Sequence, residues 1–130
     1  MPLGRSCHTF LEFHGTSDPV IHYDGKDTPD GPTYPLYERM RGWADLNGCS
    51  PENTTTRLFD GHVQKYTWSS NKYQEVVIHY RIEGFGHGFP TTTPLDNDDQ
   101  RFGPTYFNAT LMILDFFRRW SIDLQEKPEL

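Results

Sequence analysis

Two side chains in this sequence are set for proton chemistry. Asp18 stands in Phe13-His14-Gly15-Thr16-Ser17-Asp18-Pro19, and His87 in Gly84-Phe85-Gly86-His87-Gly88-Phe89-Pro90. An aspartate that accepts a hydrogen bond from imidazole Nδ1–H fixes the tautomer, leaving Nε2 able to take a proton from a hydroxyl. Taken singly, Asp18 before a proline is an ordinary turn former and His87 an ordinary loop histidine. Their settings lift them above that. Each follows an apolar run that reads as a buried strand: Phe10-Leu11-Glu12-Phe13 for Asp18, and Glu75 to Glu83 for His87. Loops at the carboxyl ends of strands are where open α/β sheets gather their ligands.

The elements between them must bring the pair together. Asp24 to Pro35 is turn-rich, with Asp24-Gly25, Asp30-Gly31 and three prolines. A helix is predicted from Leu36 to Leu46, with Leu36, Met40, Trp43 and Leu46 as its buried side and Asn47-Gly48 as its stop. Ser50 to Thr56 reads as polar loop. Arg57-Leu58-Phe59 starts an extended segment, Asp60-Gly61 a hairpin turn, and His62 to Trp68 a second strand. Phe107 to Ile122 closes the chain as an amphipathic helix, with Leu111, Leu114 and Phe117 inward, and Ile113, Phe116 and Trp120 as further candidates for that side. The resulting order is strand, Asp18 loop, helix, β-rich insertion, strand, His87 loop, helix. Two strands joined through a helix favour a parallel crossover, which puts both loops at one edge of the sheet.

At 130 residues the chain is one domain or part of one. An aromatic fraction of 15% is too high for a disordered tail, so the prolines and glycines mark loops. A net charge of −6 with no basic stripe argues against a nucleic-acid partner, and no apolar run is long enough to span a membrane. Two cysteines, Cys7 and Cys49, are too few for a disulfide scaffold and have no zinc spacing; the six histidines show no H-x-x-x-H pattern. No cofactor or metal is expected. Asn53-Thr54-Thr55 and Asn108-Ala109-Thr110 fit the N-glycosylation acceptor pattern. Met1 to His8 contains no apolar leader segment, and a strand beginning near Thr9 makes the start abrupt, as in a longer protein that begins upstream or in a remnant.

A serine nucleophile is missing. Gly4-Arg5-Ser6-Cys7-His8 has no room for the strand that must precede a nucleophile elbow, and His8 replaces the motif's second glycine. Gly-x-Ser-x-Gly occurs nowhere in the chain.

The whole chain resembles the C-terminal part of a secreted fungal feruloyl esterase, in the α/β-hydrolase group that includes polyhydroxybutyrate depolymerase-like esterases. Four stretches carry the likeness: Phe13 to Asp18, Trp43-Ala44-Asp45-Leu46-Asn47-Gly48-Cys49, Gly84 to Pro90, and Gly103-Pro104-Thr105-Tyr106-Phe107-Asn108-Ala109-Thr110. The first and third are common among hydrolases; the second is much narrower. The resemblance implies that residues 1–130 are the C-terminal part of a single α/β-hydrolase domain, whose missing half holds the nucleophile and the oxyanion-hole loop. It implies a secreted serine esterase releasing ferulate or related hydroxycinnamates from arabinoxylan, with Asp18 as triad acid and His87 as general base. This chain alone is expected to be inactive. Cys49 resembles a cysteine often disulfide-bonded in this group, with Cys7 or a cysteine of the missing half as its partner. Phe89 stands where relatives often have Trp. The alternative class is a non-catalytic esterase remnant that binds carbohydrate or phenolic rings through exposed aromatics such as Trp68 and Tyr73.

Overall fold

A computed structural model describes residues 8–92 and 102–121. The chain is mixed α/β. Strand β1 (Phe10–Gly15) is followed by a small hairpin, β2 (Lys26–Thr28) and β3 (Gly31–Thr33), then helix α1 (Leu36–Leu46). A second hairpin, β4 (Thr54–Leu58) and β5 (Val63–Trp68), leads to β6 (Val77–Ile82) and finally to α2 (Ala109–Arg119). The main sheet has the order β1-β6-β5-β4. β1 and β6 are parallel, in register from Phe10↔Val77 to Gly15↔Ile82, while β5 is antiparallel to β6 and β4 to β5. The predicted β-rich insertion is therefore an extension of the same sheet.

β6 is buried on both faces, and its alternation sorts the core into two layers. Ile78, Tyr80 and Ile82 pack with Val63, Phe85, Phe107 and Ala109 on the α2 side, where Met112, Ile113 and Phe116 close over them. Val77 packs on the opposite side with Met40, Ala44, Cys49, Trp68 and Val76. Phe10 stacks on Trp43 at 5.3 Å and Phe13 on Tyr80 at 4.9 Å, so β1 contributes to both layers. Arg119 pins the end of α2 to the turn before β6, bonding Glu75 Oε2 at 2.6 Å and the Gln74 carbonyl.

Several expectations need correction. Thr54–Thr56 is strand, not loop: β4 is an edge strand whose threonines are exposed, so it needs β-branched side chains but no apolar pattern. The buried seam of α1 is Leu36, Met40 and Ala44; Trp43 is half exposed against Phe10, and Leu46 faces solvent. α2 turns the other way from the reading that places Leu111, Leu114 and Phe117 inward, for these are 68%, 59% and 65% exposed. Its apolar residues run round the whole helix, and the side that packs is Ala109, Met112, Ile113 and Phe116. Ser6, Cys7 and the acidic segment with Asp96, Asp98 and Asp99 lie outside the described residues, and with them the Cys7–Cys49 pairing; Cys49 itself is buried at the end of α1. Among the described residues no helix is long and apolar enough to cross a membrane.

Candidate functional site

The parallel pair β1/β6 delivers its two following loops to the same edge, and three backbone-anchored hydrogen bonds join them there. Thr16 N–H donates to the Ile82 carbonyl at 2.9 Å and Ser17 N–H to the Phe85 carbonyl at 2.9 Å. Gly84 N–H donates to Thr16 Oγ1 at 2.9 Å. This close approach requires glycine at position 15, where a Cβ would stand 2.0 Å from the Phe85 carbonyl oxygen. Phe85 itself is fully buried and anchors the second loop in the core.

Two residues beyond Phe85, His87 meets Asp18. Nδ1 of His87 lies 2.9 Å from Asp18 Oδ2. The glycines beside His87 make room for this placement: a Cβ on Gly88 would lie 2.5 Å from the Phe102 ring, and one on Gly86 3.0 Å from the Phe102 carbonyl. From the sequence these glycines supply a permissive loop; the structure shows that they clear space for Phe102.

Asp18 is only 4% exposed, and its other oxygen is fully engaged: Oδ1 accepts the amides of Val20 at 2.8 Å and Ile21 at 2.9 Å. Burial works against a charge here. The Ile21 amide, the His87 hydrogen bond and the Val20 amide outweigh it, and hold the carboxyl below its ordinary value. An ionised Asp18 can only accept, so Nδ1 of His87 carries a hydrogen, and in the neutral tautomer this fixes Nε2 as the nitrogen with the lone pair. His87 is half exposed, and its Nε2 has no hydrogen-bond partner among the described residues.

The ring faces two open hollows. One, of about 400 Å³, runs along β1 and is lined by Glu12, His14, Asp18, Ile21 and His87 among others. The second, of about 490 Å³, is lined by Ser17, Pro19, Val20, Gly86, His87 and Phe102. Phe89 is exposed nearby in sequence, after Gly88.

A second histidine bears on the same carboxylate. His14 Nε2 lies 3.2 Å from Asp18 Oδ2 and 2.8 Å from the Ile21 carbonyl, while Nδ1 lies 3.1 Å from Glu12 Oε1. Sequence reasoning gives His14 no more than a hydrogen bond near the strand end. A signal is present in the spacing, since Glu12 and His14 share one face of a strand and Asp18 follows the turn.

The remaining histidines among the described residues make other contacts. His79 is wholly buried within β6, where its Nε2 meets Tyr23 Oη at 2.8 Å, and burial lowers its pKa to about 3. His62 stacks on Tyr106 at 5.0 Å and lies 3.8 Å from Glu83. Among the described residues no group of three or more His, Cys, Asp or Glu side chains could hold a metal ion. Trp68, expected as an exposed ring for stacking on sugars, is 0% exposed, and Tyr73 packs edge-on against Trp120. Each acceptor asparagine has a local bond. Asn53 Nδ2 donates to Tyr37 Oη at 2.9 Å, and Asn108 Oδ1 accepts from Thr91 Oγ1 and from the Thr92 amide and hydroxyl.

Comparison with protein-family models finds no match for this chain, and comparison with curated proteins finds none either.

Proposed function

We propose that this chain carries the acid and the general base of a secreted serine carboxylic ester hydrolase of the feruloyl esterase type, on part of an α/β-hydrolase fold. The nucleophile and the oxyanion donors come from residues outside these 130. The observation that carries the reading is the 2.9 Å bond from His87 Nδ1 to a buried carboxylate, with the half-exposed His87 lining an open hollow. In this arrangement a serine hydroxyl brought to Nε2 gives up its proton as its oxygen attacks the ester carbonyl. Asp18, held as an anion by two amides, stabilises the imidazolium that forms. The imidazolium then returns the proton to the departing alcohol, and a water molecule, deprotonated the same way, releases the acid. The resemblance of the Asp18, Cys49, His87 and Tyr106 stretches to feruloyl esterases supports feruloylated arabinoxylan, or small hydroxycinnamate esters, as substrate.

Trp68 is fully buried, so it is not a stacking ring for the alternative, a non-catalytic remnant that binds carbohydrate or phenolic rings. Methyl ferulate hydrolysis distinguishes the readings. The chain alone should be inactive, and the chain combined with a feruloyl esterase N-terminal half bearing Gly-x-Ser-x-Gly should turn over the ester, with loss of activity in His87→Ala. Turnover by the isolated chain that survives His87→Ala would refute the assignment of the base.

A further inference from the structure

His14 faces an acceptor on each side of its ring. The Ile21 carbonyl, 2.8 Å from Nε2, only accepts, so Nε2 carries a hydrogen; Asp18 Oδ2 lies beside it at ion-pair distance, 3.2 Å away. On the other side, Glu12 Oε1 stands 3.1 Å from Nδ1. A neutral ring with its hydrogen on Nε2 would turn the Nδ1 lone pair toward a carboxylate. That contact becomes a bond only if a proton sits between the two atoms. An imidazole is a stronger base than a glutamate by about two pKa units, so the proton belongs to His14.

We propose that His14 is a positioning residue held as an imidazolium at neutral pH, bridging Glu12 and Asp18 and setting the Asp18 carboxylate against His87. Its positive charge lies between two carboxylates, and its Nε2–H ties the end of β1 to the far side of the Asp18 turn at Ile21. The groups that face it come from several elements. Glu12 on β1 and Asp18 on the loop favour the charge. On β6, Arg81, the positive group among these, stands opposite His14 in register, and His79 stands opposite Glu12. His79 is kept neutral by its burial, and the Arg81 guanidinium is turned over the Tyr23 ring at 5.3 Å. Tyr23, whose ring lies 6.0 Å from that of His14, has its phenol pushed further up by burial and stays neutral. His87 shares Asp18 Oδ2 but binds it through Nδ1–H without needing a charge. Burial lowers the pKa of His14, yet the Glu12 and Ile21 hydrogen bonds and the two carboxylates raise it further, to a value above 6.5.

The consequence for catalysis rests on the hydrolase reading: as pH rises past that value, Asp18 loses one of its tethers and His87 its fixed orientation. The charge state itself is tested without any substrate. Two-bond ¹H–¹⁵N correlation spectra of the ¹⁵N-labelled chain between pH 5 and 9 report both ring nitrogens of each histidine. At pH 7, His14 should show two protonated nitrogens. Glu12→Gln, at a partly exposed position that a neutral isostere fills, should lower the His14 midpoint by about one unit. A neutral Nε2–H tautomer at pH 7, or a midpoint unmoved in Glu12→Gln, would overturn the inference while leaving the Asp18–His87 pair intact. Absence of esterase activity in the reconstituted protein would instead count against the hydrolase reading alone.

Discussion

Replacing Gly15 by alanine tests how the site is assembled. The added Cβ would lie 2.0 Å from the Phe85 carbonyl oxygen, 2.3 Å from its carbon and 2.9 Å from Phe85 Cβ. Ordinary contact starts near 3.4 Å, so the Phe85 backbone must retreat by more than about 1 Å. Phe85 is fully buried in the α2-side core, and such a shift there costs about 1–3 kcal/mol as overpacking. The same movement pulls Phe85 from the Ser17 amide, a hydrogen bond worth about 1 kcal/mol. The expected loss is therefore about 2–4 kcal/mol, a large part of the stability of a domain this size. Urea unfolding followed by tryptophan fluorescence measures it. Gly42→Ala is the matched control. Gly42 lies on the exposed side of α1 with nothing within 4 Å of where a Cβ would stand, so alanine there should stabilise by about 0.5–1 kcal/mol. A Gly15→Ala protein within about 0.5 kcal/mol of wild type, or one shifted in the same direction as Gly42→Ala, would refute the argument.

Three further outcomes follow from the geometry. Tyr23→Phe removes the 2.8 Å partner of the buried His79 Nε2 and should destabilise by about 1–3 kcal/mol, measured by the same unfolding curves. Stability should peak near pH 6.5. Below it the unfolded chain protonates His79 while the folded chain resists until about pH 3, so stability falls with pH across that window. Asp18, whose folded pKa is lowered, adds to the loss once pH falls below its ordinary 3.8. Above 6.5 the unfolded chain releases its His14 proton while the folded chain, whose pKa is raised, still holds it, so the His14 contribution declines as pH rises toward the folded value. A urea midpoint that stays flat from pH 4 to 6.5 would contradict this. Leu114→Lys, on the outward side of α2, should change stability by less than about 0.5 kcal/mol while raising the concentration at which the chain stays monodisperse in light scattering.

How much of this was legible in the residues depended on what each one faces. α1 could be bounded at Leu36 and Leu46, because a proline precedes it and Asn47-Gly48 follows. β1 and β6 were legible as apolar runs, and the chemistry of Asp18 and His87 followed from where those runs end. β4 was not, because an edge strand of exposed threonines has no buried face to leave a pattern. The packed side of α2 was equally obscure: Leu111, Leu114 and Phe117 are as apolar as Met112, Ile113 and Phe116, so periodicity alone has no unique answer. Trp68 alternates with polar neighbours as an exposed ring would, yet its face of β5 lies under Tyr37 and α1. His14 acquires its role only from Ile21, brought back to it by the turn at Asp18.

The three bonds that join the Thr16–Ser17 corner to Ile82, Gly84 and Phe85 also decide when that corner becomes ordered. Immobilising the backbone of one residue costs about 1–2 kcal/mol of conformational entropy. Had the two loops been independent, an arriving ligand would have to immobilise them, and its affinity would be weakened accordingly. Here they become rigid as the sheet forms, so ligand contacts are not offset by loop ordering. The same bonds prevent either loop from opening alone. In hydrogen exchange the amides of Thr16, Ser17 and Gly84 should therefore open together, as one cooperative unit with the adjoining ends of β1 and β6.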